Sequence, residues 1–131
     1  MIAHCTAAAL VSENKVLCHP ASVDSLSTSA AQEDHVSMGG FAARKALQVV
    51  KNVEHTVAVE LLCAVQGIDL LKQGEGLELS PPMQGVYDLV RSEVPFYGED
   101  RYMTPDIEAV QDMLKAHRIW DATGLDACDF A

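Results

Sequence analysis

Apolar residues recur at helical spacing through the middle of the chain, from Val36 to about Leu71. Steps of three and four residues are typical of an amphipathic helix, so this pattern predicts one long helix. Because glycines interrupt the pattern, we expect loosening at Gly39–Gly40 and an end near Gly67 or Gly74. A stripe of this length needs a partner surface of similar length. The apolar positions that define it are Phe41, Ala42, Ala46, Val49, Val50, Val53, Val57, Leu61, Ala64, Val65 and Ile68.

The segment that precedes the long helix predicts a shorter one. Ala7–Leu10, followed by Val11 and Val16, is apolar almost all round, which is typical of a buried helix. No capping residue stands before Met1, and this favours a helix that began upstream of the chain. Pro20 ends the regular pattern.

Polar residues dominate the loop between these two helices, and they include the candidate chemistry. Ser22–Thr28 is rich in Ser and Asp, and Ser29 with Gln32 forms a candidate capping box for the long helix. The carboxylates Glu33 and Asp34 come directly after Gln32, and His35 follows them. From the residues alone, Glu33 is first interpreted as a carboxylate at a helix N-terminus, stabilised there by the helix dipole.

Two proline-marked starts predict two further helices. Ser80 as N-cap with Pro81 at the first helical position opens a helix to about Val94. Thr104–Pro105 repeats this arrangement and opens a helix to about Arg118. No segment shows the alternation of a strand. The sequence predicts an all-α fold built around a long helix, with residues 1–131 forming one domain or one piece of a larger domain.

Composition and charge restrict the partners. The 131 residues are 49% hydrophobic and 21% charged, which is compatible with a packed core. A net charge of −10 disfavours binding to nucleic acid and to anionic membrane surfaces. No apolar run is long enough to cross a bilayer, and the residues after Met1 lack a basic signal-peptide region. We therefore expect a reduced, cytoplasmic protein.

The four cysteines favour packing over chemistry. They include no CxxC motif and no regular spacing. His4–Cys5 and Cys18–His19 are adjacent pairs, and adjacent side chains on a helix point about 100° apart, so a metal site is not predicted. We expect buried, reduced thiols in a helical core. The cysteines are Cys5, Cys18, Cys63 and Cys128.

Seven runs of the chain carry a resemblance to a known family: Thr6–Lys15, His19–Ser25, Ser29–Gly39, Ala42–Lys45, Glu60–Leu62, Val86–Ser92 and Pro105–Glu108. Together they resemble the C-terminal part of the histidine ammonia-lyase branch of the aromatic amino acid ammonia-lyase family. Where the wider family usually has Asn-Gln-Asp, this chain has Gln32-Glu33-Asp34, which favours the histidine branch over the phenylalanine and tyrosine branches. The resemblance covers nearly the whole chain and fades after about Trp120.

The resemblance implies a lyase that removes ammonia from L-histidine to give trans-urocanate, in histidine catabolism. It also implies a homotetramer, with sites built from more than one subunit. The electrophile of the family is a methylidene-imidazolone group formed from an Ala-Ser-Gly tripeptide, and this chain contains no such tripeptide. A lone carboxylate cannot remove the weakly acidic β-proton of histidine without this electron sink. We therefore expect a fragment truncated at its N-terminus and inactive as an isolated chain.

Two residues are candidates for the site by this resemblance. Glu33 matches the active-site glutamate of the histidine branch, either hydrogen-bonding the substrate imidazole or acting as an acid/base group. The phenylalanine branch has a neutral Gln at this position, which favours imidazole recognition. Met1 matches a methionine that lines the aromatic-ring pocket, although it is also simply the first residue of a frayed end.

For the residues around Glu33, a capping or surface role is at least as well supported as a supporting role in the site. We expect His55 and His117 on solvated helix faces, and Trp120 as a packing anchor at a helix end. The flanking residues are Gln32, Asp34 and His35.

The alternative function is a non-catalytic helical assembly module or pseudoenzyme remnant that keeps only packing surfaces.

Overall fold

The computed structural model describes residues 1–126, apart from the side chain of Glu75. Over this range the chain forms α-helices and one short 3-10 helix, without a β-strand, and the all-α prediction is confirmed. None of the described helices combines the length and the apolar character needed to cross a membrane. The elements are α1 (Ile2–Leu17), the 3-10 helix (Ala21–Asp24), α2 (Gly39–Glu75), α3 (Pro81–Glu93), α4 (Thr104–Lys115) and α5 (Arg118–Thr123).

The predicted long helix is present as α2, which has 37 residues and is about 55 Å long. It begins at Gly39, where the Ala42 N–H donates to the Met38 carbonyl at 2.9 Å. The predicted start at Val36 is wrong, because α2 begins at Gly39. The loosening expected at Gly39–Gly40 is not seen, since both residues are helical and lie in the first turn. A helical glycine costs about 1 kcal/mol, which a long cooperative helix tolerates. Of the two predicted ends, the one near Gly74 is correct.

The apolar core lies in the second of two compact units, Met1–Val53 and Glu54–Ala131. Its side chains come from the C-terminal half of α2, from α3 and the residue after it, and from α4. The largest side chains that are almost completely inaccessible to solvent are Val90, Val94, Val110 and Met113. The buried apolar residues of the described chain are Ala58, Val59, Leu62, Val65, Val90, Val94, Ile107, Val110 and Met113.

An ion pair joins α2 to α3 beside this core. Arg91 donates to the Asp69 carboxylate from Nε at 2.8 Å and from Nη2 at 2.5 Å, with side chains only 14% and 12% exposed. Tyr87 donates its hydroxyl to the same carboxylate. This hydrogen bond, together with burial and the Asp69 charge, raises the pKa of Tyr87. Arg91 Nη1 also donates to the Val94 carbonyl at 3.0 Å, which fixes the end of α3.

The fourth predicted helix is divided in two. α4 ends at Lys115, and His117 adopts a left-handed conformation with φ 59° before α5 begins at Arg118. The predicted continuous helix to Arg118 is therefore wrong. Thr104, predicted as the N-cap, is the first helical residue, and Met103 precedes it as the cap. For α3, the predicted Ser80 N-cap and Pro81 start are confirmed.

The break at His117 allows α5 to contact both α3 and α4. The contact with α3 depends on Gly85. A Cβ atom added at this position would lie 2.0 Å from the Ala122 carbonyl oxygen of α5, closer than any nonbonded contact. The absence of a side chain at Gly85 therefore permits the close approach of these two helices.

The first unit has no buried apolar side chain among its residues, and polar contacts connect its helices. Asn52 of α2 is buried and donates to Asn14 Oδ1 of α1 at 2.9 Å. Lys45 donates to the His19 carbonyl after α1. The prediction that α1 is buried is wrong for this chain, because the described residues supply no apolar surface to cover Val16 and its neighbours.

The cysteine prediction fails in the same way. Cys5 and Cys18 are free and exposed, and so is Cys63 on α2. Cys5 and Cys63 lie on exposed helix faces and Cys18 is the C-cap of α1, so none of the three is the buried thiol that the sequence suggested. Cys128 lies outside the described residues.

Replacing Gly85 with Ala should destabilise the second unit, because the new methyl group would push α5 away from α3. We expect a loss of about 2 kcal/mol or more in the free energy of unfolding, measured by urea denaturation. Gly67→Ala is the matched control, since no atom lies within 4 Å of its added Cβ. That change should be neutral or stabilise α2 by up to about 1 kcal/mol. Equal stability of the two variants would show that Gly85 is not needed for the contact.

The exposed apolar residues of α2 predict self-association of the isolated chain. Leu47 is 66% exposed and Val50 53% exposed, and every other helix is less than half as long as α2. Apolar patches larger than a few hundred Å² are rare on soluble monomers. We expect oligomers in light scattering and strong binding of a hydrophobic dye, both reduced by the double change Leu47→Gln, Val50→Gln. A monodisperse monomer with a cooperative melt and no dye binding would contradict this prediction.

Candidate functional site

The candidate carboxylate lies in a loop that joins the 3-10 helix to α2. We define residues 25–36 as the Glu33 loop. Its base is closed by one hydroxyl group: Ser25 Oγ accepts from the Val36 N–H at 2.6 Å and donates to the Val36 carbonyl at 2.7 Å. A longer contact of 3.4 Å from the Met38 N–H to Ser22 Oγ lies just outside it. Side-chain hydroxyls therefore connect the two ends of the loop.

The apex of the Glu33 loop is a tight, left-handed turn. The Thr28 N–H donates to the Glu33 carbonyl at 3.0 Å, and the Glu33 N–H donates to the Thr28 carbonyl at 3.3 Å. Between them Ser29, Ala30 and Ala31 have φ values of 54°, 54° and 68°. Each such residue with a Cβ atom costs about 1–2 kcal/mol. Other contacts must therefore hold the apex in this conformation.

This geometry corrects two expectations for the loop. Ser29 and Gln32 do not form a capping box, because Ser29 lies within the left-handed turn and α2 begins only at Gly39. Glu33 is also not a helix-terminal carboxylate, since the first turn of α2 contains no acidic residue. The hydrogen bonds of the Ser25 hydroxyl with Val36 and the backbone pair of Thr28 with Glu33 hold this segment in a loop, instead of the helix start that the sequence favoured.

The Glu33 backbone is fixed, whereas its carboxylate is available. Both backbone polar groups of Glu33 are used in the pair with Thr28. Its side chain is exposed and makes no hydrogen bond or ion pair with the described part of the chain. Gln32, Asp34 and His35 are exposed beside it. The arrangement presents an anionic acceptor on a constrained backbone, which suits an N–H donor or a cation.

Met1 occupies a separate position in the same unit. It is the N-cap of α1, its carbonyl accepts from the Cys5 N–H at 3.1 Å, and its side chain is 100% exposed. Within the described residues, no hydrogen bond joins it to Glu33. The role of Met1 in a ring pocket therefore stays a prediction.

The remaining candidates lie in the second unit. His117 is exposed, as expected, but it forms the left-handed break between α4 and α5. His55 is half-buried rather than solvated. Trp120 is 45% exposed and packs only in part. In residues 1–126, no group of three or more His, Cys, Asp and Glu side chains is arranged to hold a metal ion.

Sequence reasoning missed the two features that hold Glu33. Left-handed residues are normally marked by Gly or Asn, and Ser29-Ala30-Ala31 contains neither. Ser25 is one of several serines in a polar loop, and the pattern gave no reason to select it. Its bond to Val36 joins residues eleven positions apart and becomes visible only in three dimensions.

The comparisons with known proteins all give the same family. The family model for aromatic amino acid lyases matches residues 1–92. Histidine ammonia-lyase of Homo sapiens is 62% identical over 121 residues, which is 92% of this chain. The crystal structure of histidine ammonia-lyase from Trypanosoma cruzi matches 95% of the chain with a TM-score of 0.87 and 60% identity. Tyrosine aminomutase from Streptomyces globisporus matches 91% with a TM-score of 0.82 and 40% identity.

These matches cover a minor part of each relative. The chain spans 18% of the length of the human protein and 24% of the Trypanosoma cruzi chain. The fold agrees over nearly all of the matched segment, and the family model covers more than half of the residues. The chain belongs to the aromatic amino acid lyase family.

Proposed function

We propose that this chain is the C-terminal helical part of a histidine ammonia-lyase, which eliminates ammonia from L-histidine to give trans-urocanate in histidine catabolism. The observation that carries the proposal is the 62% identity to human histidine ammonia-lyase over 92% of the chain. The family also includes a tyrosine aminomutase, so family membership alone leaves the substrate open. Its identity to the chain is lower, at 40%, and this favours histidine.

In this proposal Glu33 recognises the substrate imidazole. An imidazole ring carries N–H donors that a phenyl ring lacks, and a carboxylate is the stronger acceptor for them. The exposed Glu33 side chain has no competing partner in the described chain, and its backbone is held by Thr28. Such a group can orient the imidazole and set its protonation state. An acid/base role at the reacting centre remains the second assignment.

The electrophile of the reaction has to come from outside these residues. The methylidene-imidazolone group of the family supplies an electron sink that makes the β-proton removable. Because the chain contains no Ala-Ser-Gly, none of its own residues can form this group. The contribution proposed for this chain is the binding and orientation of substrate, with the acid/base role of Glu33 as the second assignment.

The remaining parts of the proposal concern Met1 and the assembly. A thioether next to a flat ring is a favourable, adaptable contact, so Met1 is proposed as part of the ring pocket. We propose a homotetrameric, cytoplasmic enzyme. The association of subunits is supported by the uncovered apolar residues of α1 and α2, which require a partner surface. Nucleic acid and membranes are not proposed as partners.

The second candidate is a non-catalytic helical assembly module, and the missing Ala-Ser-Gly favours it. Reading the transcript upstream of Met1 discriminates between the two. An in-frame segment that contains Ala-Ser-Gly supports the enzyme. An upstream stop codon in a complete transcript supports the module.

Glu33→Gln should reduce turnover strongly in a complete enzyme. A suitable protein is a hybrid in which this chain replaces the matching 121 residues of human histidine ammonia-lyase. Losing a charge-assisted hydrogen bond costs about 1.5–3 kcal/mol, equivalent to roughly a ten- to hundredfold loss in kcat/KM. Gln32→Ala and His35→Ala are the matched controls and should cost much less. The assignment of Glu33 would be refuted if the Glu33→Gln hybrid kept a near-normal kcat/KM while one of the control variants lost most of its activity.

The isolated chain should form no urocanate from L-histidine, because it lacks the electrophile. The measurement follows the ultraviolet absorbance of urocanate with purified chain and with the hybrid enzyme as positive control. Steady product formation by the isolated chain would mean that these residues contain an electrophile of another kind.

A further inference from the structure

We propose that Ser25 is a positioning residue for Glu33 and that its hydroxyl group acts as a clasp on the Glu33 loop. The inference rests on the proposed function, since it assigns to Ser25 the task of holding the carboxylate that binds substrate. The two residues are eight positions apart (33 − 25). Ser25 acts through the loop backbone and does not need to touch the substrate.

The clasp engages both the backbone N–H and the backbone carbonyl of one residue, Val36, at the other end of the loop. Ser25 Oγ accepts from the Val36 N–H at 2.6 Å and donates to the Val36 carbonyl at 2.7 Å. Both residues are half-buried, so water competes less well for these groups than at the exposed apex. The neighbouring contact from Met38 to Ser22 is 3.4 Å long and is a weaker closure.

The strain at the apex explains why the loop needs a clasp. Ser29, Ala30 and Ala31 are left-handed without being glycine, and they relax if the loop can open. Glu33 follows this turn after one residue, and its backbone is paired with Thr28 across it. Relaxation of the turn would therefore move the Glu33 carboxylate. A displacement of about 1 Å in a catalytic site can reduce the rate about a hundredfold.

The chemistry of the clasp determines which substitutions should preserve it. A hydroxyl group donates and accepts at the same time, and alanine can do neither. Threonine keeps both functions and adds one methyl group. Ser27 is an exposed serine of the same loop and makes no hydrogen bond within residues 1–126, so Ser27→Ala is a matched control for Ser25→Ala.

The first measurement is hydrogen exchange on the full 131-residue chain. Ser25→Ala should increase the exchange rate of the Val36 amide and of the Thr28–Glu33 pair at least about tenfold, with no change in α3 and α4. Ser25→Thr and Ser27→Ala should leave these rates within about threefold of the unchanged chain. Unaltered exchange in Ser25→Ala would overturn the clasp.

The second measurement is kinetic and uses the hybrid enzyme. Ser25→Ala should reduce kcat/KM about ten- to hundredfold, whereas Ser25→Thr should restore most of the loss and Ser27→Ala should have no effect. The decisive test adds Ser25→Ala to Glu33→Gln. If Ser25 acts through Glu33, the second change costs little once the carboxylate is gone, whereas a general folding defect would multiply the two losses.

The outcomes separate the two proposals. A hybrid that keeps full activity with Glu33→Gln refutes the proposed role of Glu33 and leaves the clasp to be judged by hydrogen exchange. If Glu33→Gln strongly reduces the activity of the hybrid and Ser25→Ala does not, the proposed function stands and the positioning role of Ser25 is overturned. Multiplicative losses in the double variant overturn it as well.

Discussion

The unbroken hydrogen-bond ladder of α2 is the constraint on which the rest of the structure depends. Over 37 residues it supplies Asn52 to the polar contacts of the first unit and Ala58–Val65 to the apolar core of the second. It also supplies Asp69 to the ion pair with Arg91. Its glycines are tolerated because each costs little against so many continuous backbone bonds.

The two units differ in what holds them together. The second unit has an apolar core and a charged pair that is almost excluded from solvent. In the first unit, polar contacts join α1 to α2, while Val16, Leu47 and Val50 remain exposed. Because the hydrophobic effect is the main stabilising term in folding, the first unit is the part of the chain that most needs a further surface. The candidate site lies in this same unit.

Strain at the Glu33 loop is consistent with a functional role. Three consecutive left-handed residues with side chains are unfavourable, and such conformations persist where the surroundings impose them. Here the Ser25 hydroxyl and the Thr28–Glu33 pair impose the conformation. The result is a carboxylate whose backbone is fixed while its oxygens remain available. This is the arrangement expected of a group that has to orient a substrate rather than stabilise the fold.

The sequence by itself determined the helical class, the long helix and the Ser80–Pro81 start of α3, because helical periodicity and helix starts are properties of neighbouring residues. It also predicted Glu33 as a site residue, through similarity rather than through any contact, and that assignment stays a prediction. Only the tertiary structure decided the left-handed turn, the Ser25 clasp, and the break at His117 that brings α5 against Gly85. The clasp and the approach of α5 to Gly85 join residues far apart in the chain, and the turn departs from the local preference of its Ser and Ala residues, so none of these features leaves a periodic signal.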